Sequence, residues 1–347
     1  MRTAAALAVA VALLALPLAS GDTWYINLAS QILIACIYAL SLNLLVGYAG
    51  LTSLGHAIYL GTTAYVVGWL TTVYGFGHLA GAAAALGIAA GLAAVCGLVA
   101  LRASGLGFLM ITLAMGQIFW GVAYRWVSLT GGDNGLSGLT RPAPFGIDLT
   151  APARFYVFTA LVFAAFFALV ARVVHSPFGA CLRGTRDQPR RMAALGHGVW
   201  LVRWVAFIQA GLGGAVAGLL YAYYQGFISP HALSLTSSAE VLLMVIAGGA
   251  GTLLGPVVGA TLVLVLKNVV SAYVERWLML LGIVFVLIVV FMPDGIVPGV
   301  ERWWSGWRRA TPRPRRTAPA SEAPSAPRSE SKPRPDEAAA ASRGGTP

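Results

Sequence analysis

The chain has 347 residues, 58% of them hydrophobic and only 10% charged, with mean hydropathy +0.77. A soluble domain carries about 25% charge, so a soluble enzyme, a nucleic-acid-binding domain and a disulfide scaffold are poor readings, and the bilayer is the expected solvent. Residues 1–300 hold 20 charged side chains and residues 301–347 hold 15, which divides the chain into a transmembrane body and a polar tail.

A helix needs about 20 apolar residues to cross the hydrocarbon, because lipid offers the backbone no hydrogen bonds. In chain order the candidates are 3–20, 24–46, 54–74, 79–101, 105–129, 153–174, 201–224, 237–250, 252–273 and 277–292. The first, with Arg2 before it and Leu18-Ala19-Ser20 at its end, also fits a cleavable signal peptide; we expect a retained helix. The eighth is short and meets the ninth at a glycine-rich break. The expected fold is therefore all-α, a polytopic helical bundle of about nine or ten spans.

Ten crossings from an inside N-terminus place 18 basic residues in the cytoplasm and five outside, in keeping with the positive-inside rule. Loop 130–152 then lies outside and loop 175–200 inside, and the C-terminus is cytoplasmic. The tail from 301, basic and holding eight of the 18 prolines from Pro312 on, cannot bury a core and is expected to be disordered. Cys36, Cys96 and Cys181 lack metal-ligand spacing and read as small apolar residues. Glycines such as Gly211, Gly213, Gly214 and Gly218 read as close helix packing.

Catalytic and nucleotide motifs are missing from the sequence. The glycine run 249–255 has no lysine to reach a phosphate, and H-E-x-x-H, CxxC and carboxylates paired at a working spacing do not occur. Glu240 and Lys267 are the charged residues within spans, apart from span ends, a thin basis for ion coupling. The expectation is a non-enzymatic conduit with no cofactor or metal site of its own. Its energy would come from a partner.

Loop 175–200 supplies a candidate docking surface. Pro189 suits a helix start, Gly196 suits its end, and Met192 and Leu195 are spaced for one face. Flanked by Arg183, Arg186, Arg190 and Arg191, such a helix fits a groove on a soluble partner; on spacing alone an arginine-rich loop that only sets topology is the plainer reading.

The segments GYAGLTSLGHAIYLGTTAYVVGWL (47–70), FLMITLAMGQIFW (108–120), TGGDNGLSG (130–138), SPFGACLRGTRDQPRRMAALG (176–196), SAEVLLMVIAGGAGTLLGPVVGA (238–260) and FMPDGI (291–296) resemble, in order, the permease subunits of branched-chain amino acid ABC transporters. The resemblance runs from about 24 to 300 and leaves out the tail. It implies an importer in the bacterial inner membrane with a second permease subunit, two cytoplasmic ATPases that bind the ATP, and an extracytoplasmic binding protein. It also implies that the segment from Arg183 to Gly196, with Arg186, Asp187, Gln188, Arg190, Met192, Ala193 and Leu195, contacts the ATPase. Gln188-Pro189 departs from the family, which often has an acidic residue near this point and a helix without proline.

Polar residues in apolar spans are candidates for the solute path: Asn43, Ser53, His56, Thr112, Gln117 and Glu240. Each also has a plain structural reading; Glu240, for example, suits the start of a helix. The turn-prone Gly132-Asp133-Asn134 would lie at the outer mouth. The alternative is a stand-alone ion-coupled secondary transporter of small polar solutes, using Glu240, His56 and Lys267.

Overall fold

The computed structural model describes residues 21–141, 149–270, 277–300 and 302. The expected first span, 3–20, and the tail from 303 lie outside the described residues. Helix α1 (Thr23–Asn43) starts at Asp22, whose carboxylate accepts from the Trp24 amide at 3.0 Å, satisfying one of the orphan donors of a helix start. It runs on as a π-helix, Leu44–Ala49. A non-helical stretch, 50–56, leads into α2 (Ala57–Thr72), followed by α3 (His78–Ala100) and α4 (Leu106–Arg125). After a one-turn helix α5 (Val127–Thr130) and strand β1 (Leu136–Ser137), the chain crosses in α6 (Pro152–His175). Two short helices, α7 (Pro177–Asp187) and α8 (Pro189–Ala194), precede α9 (Val199–Gln225). Strand β2 (Phe227–Ile228) then leads to α10 (Leu235–Gly248), α11 (Gly255–Val265) with a π-helical extension Leu266–Val270, and α12 (Trp277–Phe291).

Five of these elements are long and apolar enough to cross a membrane: Thr23–Ala49, α3, α4, α6 and α9. Among the described residues, the helices at the other expected spans are shorter. At 1.5 Å per residue, the 14 residues of α10 reach about 21 Å, less than the ~30 Å of hydrocarbon. Span 54–74 loses its first turn to the irregular stretch 50–56, and 105–129 ends at Arg125 with α5 as a separate turn. Irregular backbone at membrane depth survives only where protein surrounds it, and here it is enclosed: Leu51, Ser53 and His56 are all buried.

Helices α1 and α9 form the centre. Within their most apolar windows, 83% and 61% of residues are buried, against 17% in α6, whose Leu161 and Leu169 lie exposed. Helix α9 packs on α1, α2 and α3, and small residues make the approach possible. A side chain at Gly218 would collide with the Leu60 carbonyl of α2, and one at Gly213 with Ser41 of α1 and Phe166 of α6. Phe207 of α9 meets Tyr59 of α2 and Phe108 of α4 edge-to-face, at centroid distances of 6.1 and 6.2 Å. The glycine pattern thus does what the sequence suggested, letting backbones pack where hydrocarbon supplies no drive to associate.

Contacts sort the chain reversals onto two sides. On one side Gly47, Gly50 and Gly251 lie against Arg186 of α7, and Gly249 lies against Asp294 and Pro298. On the other, β1 pairs antiparallel with β2, Leu136 opposite Ile228, and Ile228 and Leu139 pack on Gly68 near the end of α2.

Gly218→Val is expected to destabilise the protein by about 1–3 kcal/mol or more, as overpacking does. Gly87→Ala, where a Cβ meets open space, is expected to be neutral. Thermal unfolding of the detergent-solubilised protein followed by size-exclusion chromatography checks both.

Candidate functional site

The glycine-rich break between α10 and α11 is the most connected irregular segment. Gly249 and Gly251 take φ of 115° and 85°, a region that residues with a Cβ rarely enter. Thr252 closes the turn, its hydroxyl donating to the Gly249 carbonyl at 2.9 Å and accepting from the Gly255 amide at 3.0 Å. Asn43, at the end of α1 and fully buried, donates from Nδ2 to the Thr252 carbonyl at 2.8 Å and accepts at Oδ1 from the Gly251 amide at 2.9 Å. The structure therefore spends the amide of Asn43, expected along the path, on holding two discontinuous segments together.

Arg186 joins the same junction from the 175–200 loop. Its guanidinium donates to the Gly47 carbonyl, its stem crosses Gly50, and its Nη1 lies beside Gly251. Behind it, Arg203 of α9 donates to the Thr185 carbonyl at 2.8 Å. Asp187 sits 3.9 Å from the Arg186 Nε.

Loop 175–200 is two helices rather than one. Ser176 caps α7, accepting from the Gly179 amide at 3.4 Å, and Pro177 occupies its first turn. At Gln188 the backbone leaves helical geometry, with φ −142° and ψ 75°, because proline disfavours helical geometry in the residue before it. Pro189 then starts α8, and Gly196 ends it with φ 84°. Sequence spacing put Met192 and Leu195 on one outward face. The break folds α8 back on α7 instead, so that Met192 packs against Gly184 while Leu195 stays 68% exposed. Arg183, Arg190, Arg191 and Ala193 are exposed around it.

Ser53, His56 and Thr112 pin the 50–56 stretch. Thr112 of α4 accepts from the Leu54 amide at 3.2 Å and donates to the Leu109 carbonyl at 3.0 Å. Ser53 accepts from the Gly55 amide at 3.3 Å. His56 is fully buried, its Nε2 lying 2.8 Å from the Ser41 hydroxyl and its ring stacked on Tyr38 at 5.3 Å.

Gln117 and Glu240 open onto cavities. A cavity of about 440 Å³ on the β1–β2 side is lined by Gln117, Trp120, Asp133, His231 and Ser234 among others. Gly132, Asp133 and Asn134 form a 3₁₀ turn between α5 and β1, so this loop and Gln117 share one vestibule. A second cavity of about 270 Å³ contains Glu240. Glu240 does not cap α10. Ser234 does, accepting from the Ser237 amide at 3.2 Å, and Glu240 instead accepts from Lys267 at 2.8 and 3.1 Å. Lys267 gave a sequence signal as an intramembrane charge; Tyr38 and His231, which also line this cavity, gave none, since a tyrosine in an apolar run and a histidine beside a turn read as ordinary.

Asn43→Ala leaves the half-buried Thr252 carbonyl and Gly251 amide without their partner. A loss of about 1–3 kcal/mol per group is expected, visible as a lowered thermal-unfolding midpoint.

A family model described as the permease component of the branched-chain amino acid transport system matches residues 24–289. The high-affinity branched-chain amino acid transport system permease protein LivM of Escherichia coli (strain K12) is 27% identical over 296 residues, covering 79% of this chain and 70% of its own length. Its Salmonella typhimurium counterpart is 26% identical with the same coverage. A probable branched-chain amino acid transport permease protein LivM of Methanocaldococcus jannaschii is 28% identical over 163 residues, 42% of this chain and 47% of that one. No solved structure matches. The family match takes in every span from α1 to nearly the end of α12; the chain is a polytopic helical membrane protein and belongs to the branched-chain amino acid transport permease family.

Proposed function

We propose that this chain is the membrane-spanning permease subunit of an ATP-driven importer for branched-chain or related amino acids in the bacterial cytoplasmic membrane. In this reading it pairs with a second permease subunit, two cytoplasmic ATPases bind and hydrolyse ATP, and an extracytoplasmic binding protein delivers solute. The chain itself carries out no covalent chemistry and holds no cofactor. The loop 175–200 and the C-terminus face the cytoplasm, and the vestibule of Gln117 and Asp133 faces outward, with Gly132 and Asn134 shaping its rim.

The observation that carries this reading is the reach of Arg186. One side chain on an exposed helix pair touches both discontinuities of the bundle, Gly47–Gly50 and Gly251. A partner that grips Leu195, Arg183, Arg190 and Arg191 moves α7, and α7 moves the ends of α1 and α10. Displacement there favours one of two bundle arrangements, the discrete response expected of packed helices. His56 is sealed in the core and Glu240 is neutralised by Lys267, which leaves the stand-alone ion-coupled carrier with little to work with.

Leu195→Asp is expected to abolish co-purification of the ATPase and uptake together; retention of both would overturn the docking assignment. Arg186→Ala is expected to leave the ATPase bound and hydrolysing while uptake in proteoliposomes falls at least ten-fold. Equal loss of binding and uptake would make Arg186 a docking residue rather than a transmitting one. Ion-gradient-driven uptake by the chain reconstituted alone would replace the importer reading with the carrier.

A further inference from the structure

Helix α7 ends at Asp187, and Gln188-Pro189 follows. In a continuing α-helix the Thr185 carbonyl would accept from the amide of residue 189, and a proline has no amide hydrogen to give. Pro189 therefore leaves an unclaimed acceptor in the last turn of α7, on a residue that is fully buried. Arg203 of α9 takes it, donating from Nη2 at 2.8 Å. The bond is charge-assisted, hence of the stronger kind, and lies at the helix end that favours cations. The Arg203 Nε is buried and has no partner among the described residues, so among them the Thr185 carbonyl is the acceptor that fixes this guanidinium.

Arg203 stands near the start of α9, and the far end of α9 carries part of the vestibule. Gly226 ends the helix with φ 64°. Strand β2 follows and pairs with β1. Ser229, Pro230 and His231 then line the cavity of about 440 Å³ together with Gln117, Trp120 and Tyr124 of α4. Between the two ends, Gly213 lies against Ser41 and Phe166, and Gly218 lies against the Leu60 backbone. These are the closest contacts of α9, and they sit near its middle. At 1.5 Å per residue each arm is roughly 15–20 Å long, so a shift at one end reaches the other at comparable size.

We propose that Arg203 is a positioning residue that makes α9 a lever: movement of α7 tilts α9 about its glycines and displaces the Ser229–His231 side of the vestibule. This rests on the importer reading above. Thr185 and Arg186 are neighbours on α7 and divide the task. Arg186 donates outward to Gly47 and acts on the helix breaks, while Thr185 accepts from α9 and acts on the opposite side of the bundle. The proline at 189, a departure from the family pattern, has a role here, since an amide at that position would compete with Arg203 for the carbonyl.

The test uses the complex with both ATPases and the binding protein in proteoliposomes, carrying a reporter cysteine, Ser229→Cys, in a Cys181→Ser background. The rate of maleimide labelling is measured with and without a non-hydrolysable ATP analogue. With Arg203 present the nucleotide should change the rate at least three-fold. Arg203→Gln should abolish that change while the ATPase still co-purifies, and Pro189→Ala should reduce it at least two-fold. A merely structural role lowers the thermal-unfolding midpoint and leaves the nucleotide-driven change intact, so a full response in Arg203→Gln overturns the lever. Loss of the ATPase from Arg203→Gln makes Arg203 a support for the docking loop and overturns it too. Where Arg203→Gln is not recovered as folded protein, Pro189→Ala decides: an unchanged response overturns the lever. ATP-driven uptake by the reporter complex without any change in labelling also overturns it. Failure of the unmodified complex to accumulate any amino acid is a different result and overturns the importer reading instead.

Discussion

The structure depends on one constraint: polar backbone inside a membrane must find its partners within the protein. The chain breaks its helices at 50–56 and at 249–254, and each break frees amides and carbonyls that lipid cannot satisfy. Asn43 answers for the second, with a donor and an acceptor on one planar group. Thr112 of α4 answers for the first, accepting from the Leu54 amide. The breaks are stable because side chains from other elements bind them, so each break is also a joint between those elements.

Joints of this kind give a helical bundle places to move. Helices that pack through glycine against neighbouring backbone, as α9 does at Gly218, make close rigid contacts that shift as units. The break between α10 and α11 sits beside the end of α1 and beneath Arg186 of the exposed loop. A force on that loop therefore arrives where the bundle is least regular. At the other end of α10, the Glu240–Lys267 pair ties that helix to the extension of α11. The α10–α11 hairpin thus has the loop contact at its turn and the polar cavity at its open end.

Much of the fold was legible from residue patterns. Long apolar runs set α3, α4, α6 and α9 to within a few residues, since a single apolar run of that length satisfies its own backbone in lipid as a helix. The glycine-rich break at 249–254 was visible because glycine and proline stop regular backbone. In loop 175–200 the short helix from Pro189 was legible, while the preceding helix α7 from Pro177 was not. Helical spacing put Met192 beside Leu195 on an outer face, whereas the kink at Gln188-Pro189 turns Met192 onto Gly184. Residues 54–56 read as the start of span 54–74 because they lead into an apolar run, whereas the helix begins at Ala57; hydropathy measures burial and is blind to whether lipid or protein does the burying.

The sequence by itself determined the solvent, the helical class and the order of the spans, because the cost of exposing polar backbone to hydrocarbon acts on each segment separately and is written in local composition. It also singled out the few polar residues that lie within apolar runs. Only the tertiary structure decided their partners. Asn43 is 209 positions from Thr252, Arg186 is 139 from Gly47 and Lys267 is 27 from Glu240. No local pattern encodes such pairings, which arise when close-packed helices bring distant segments within hydrogen-bond reach and leave each buried donor one available acceptor.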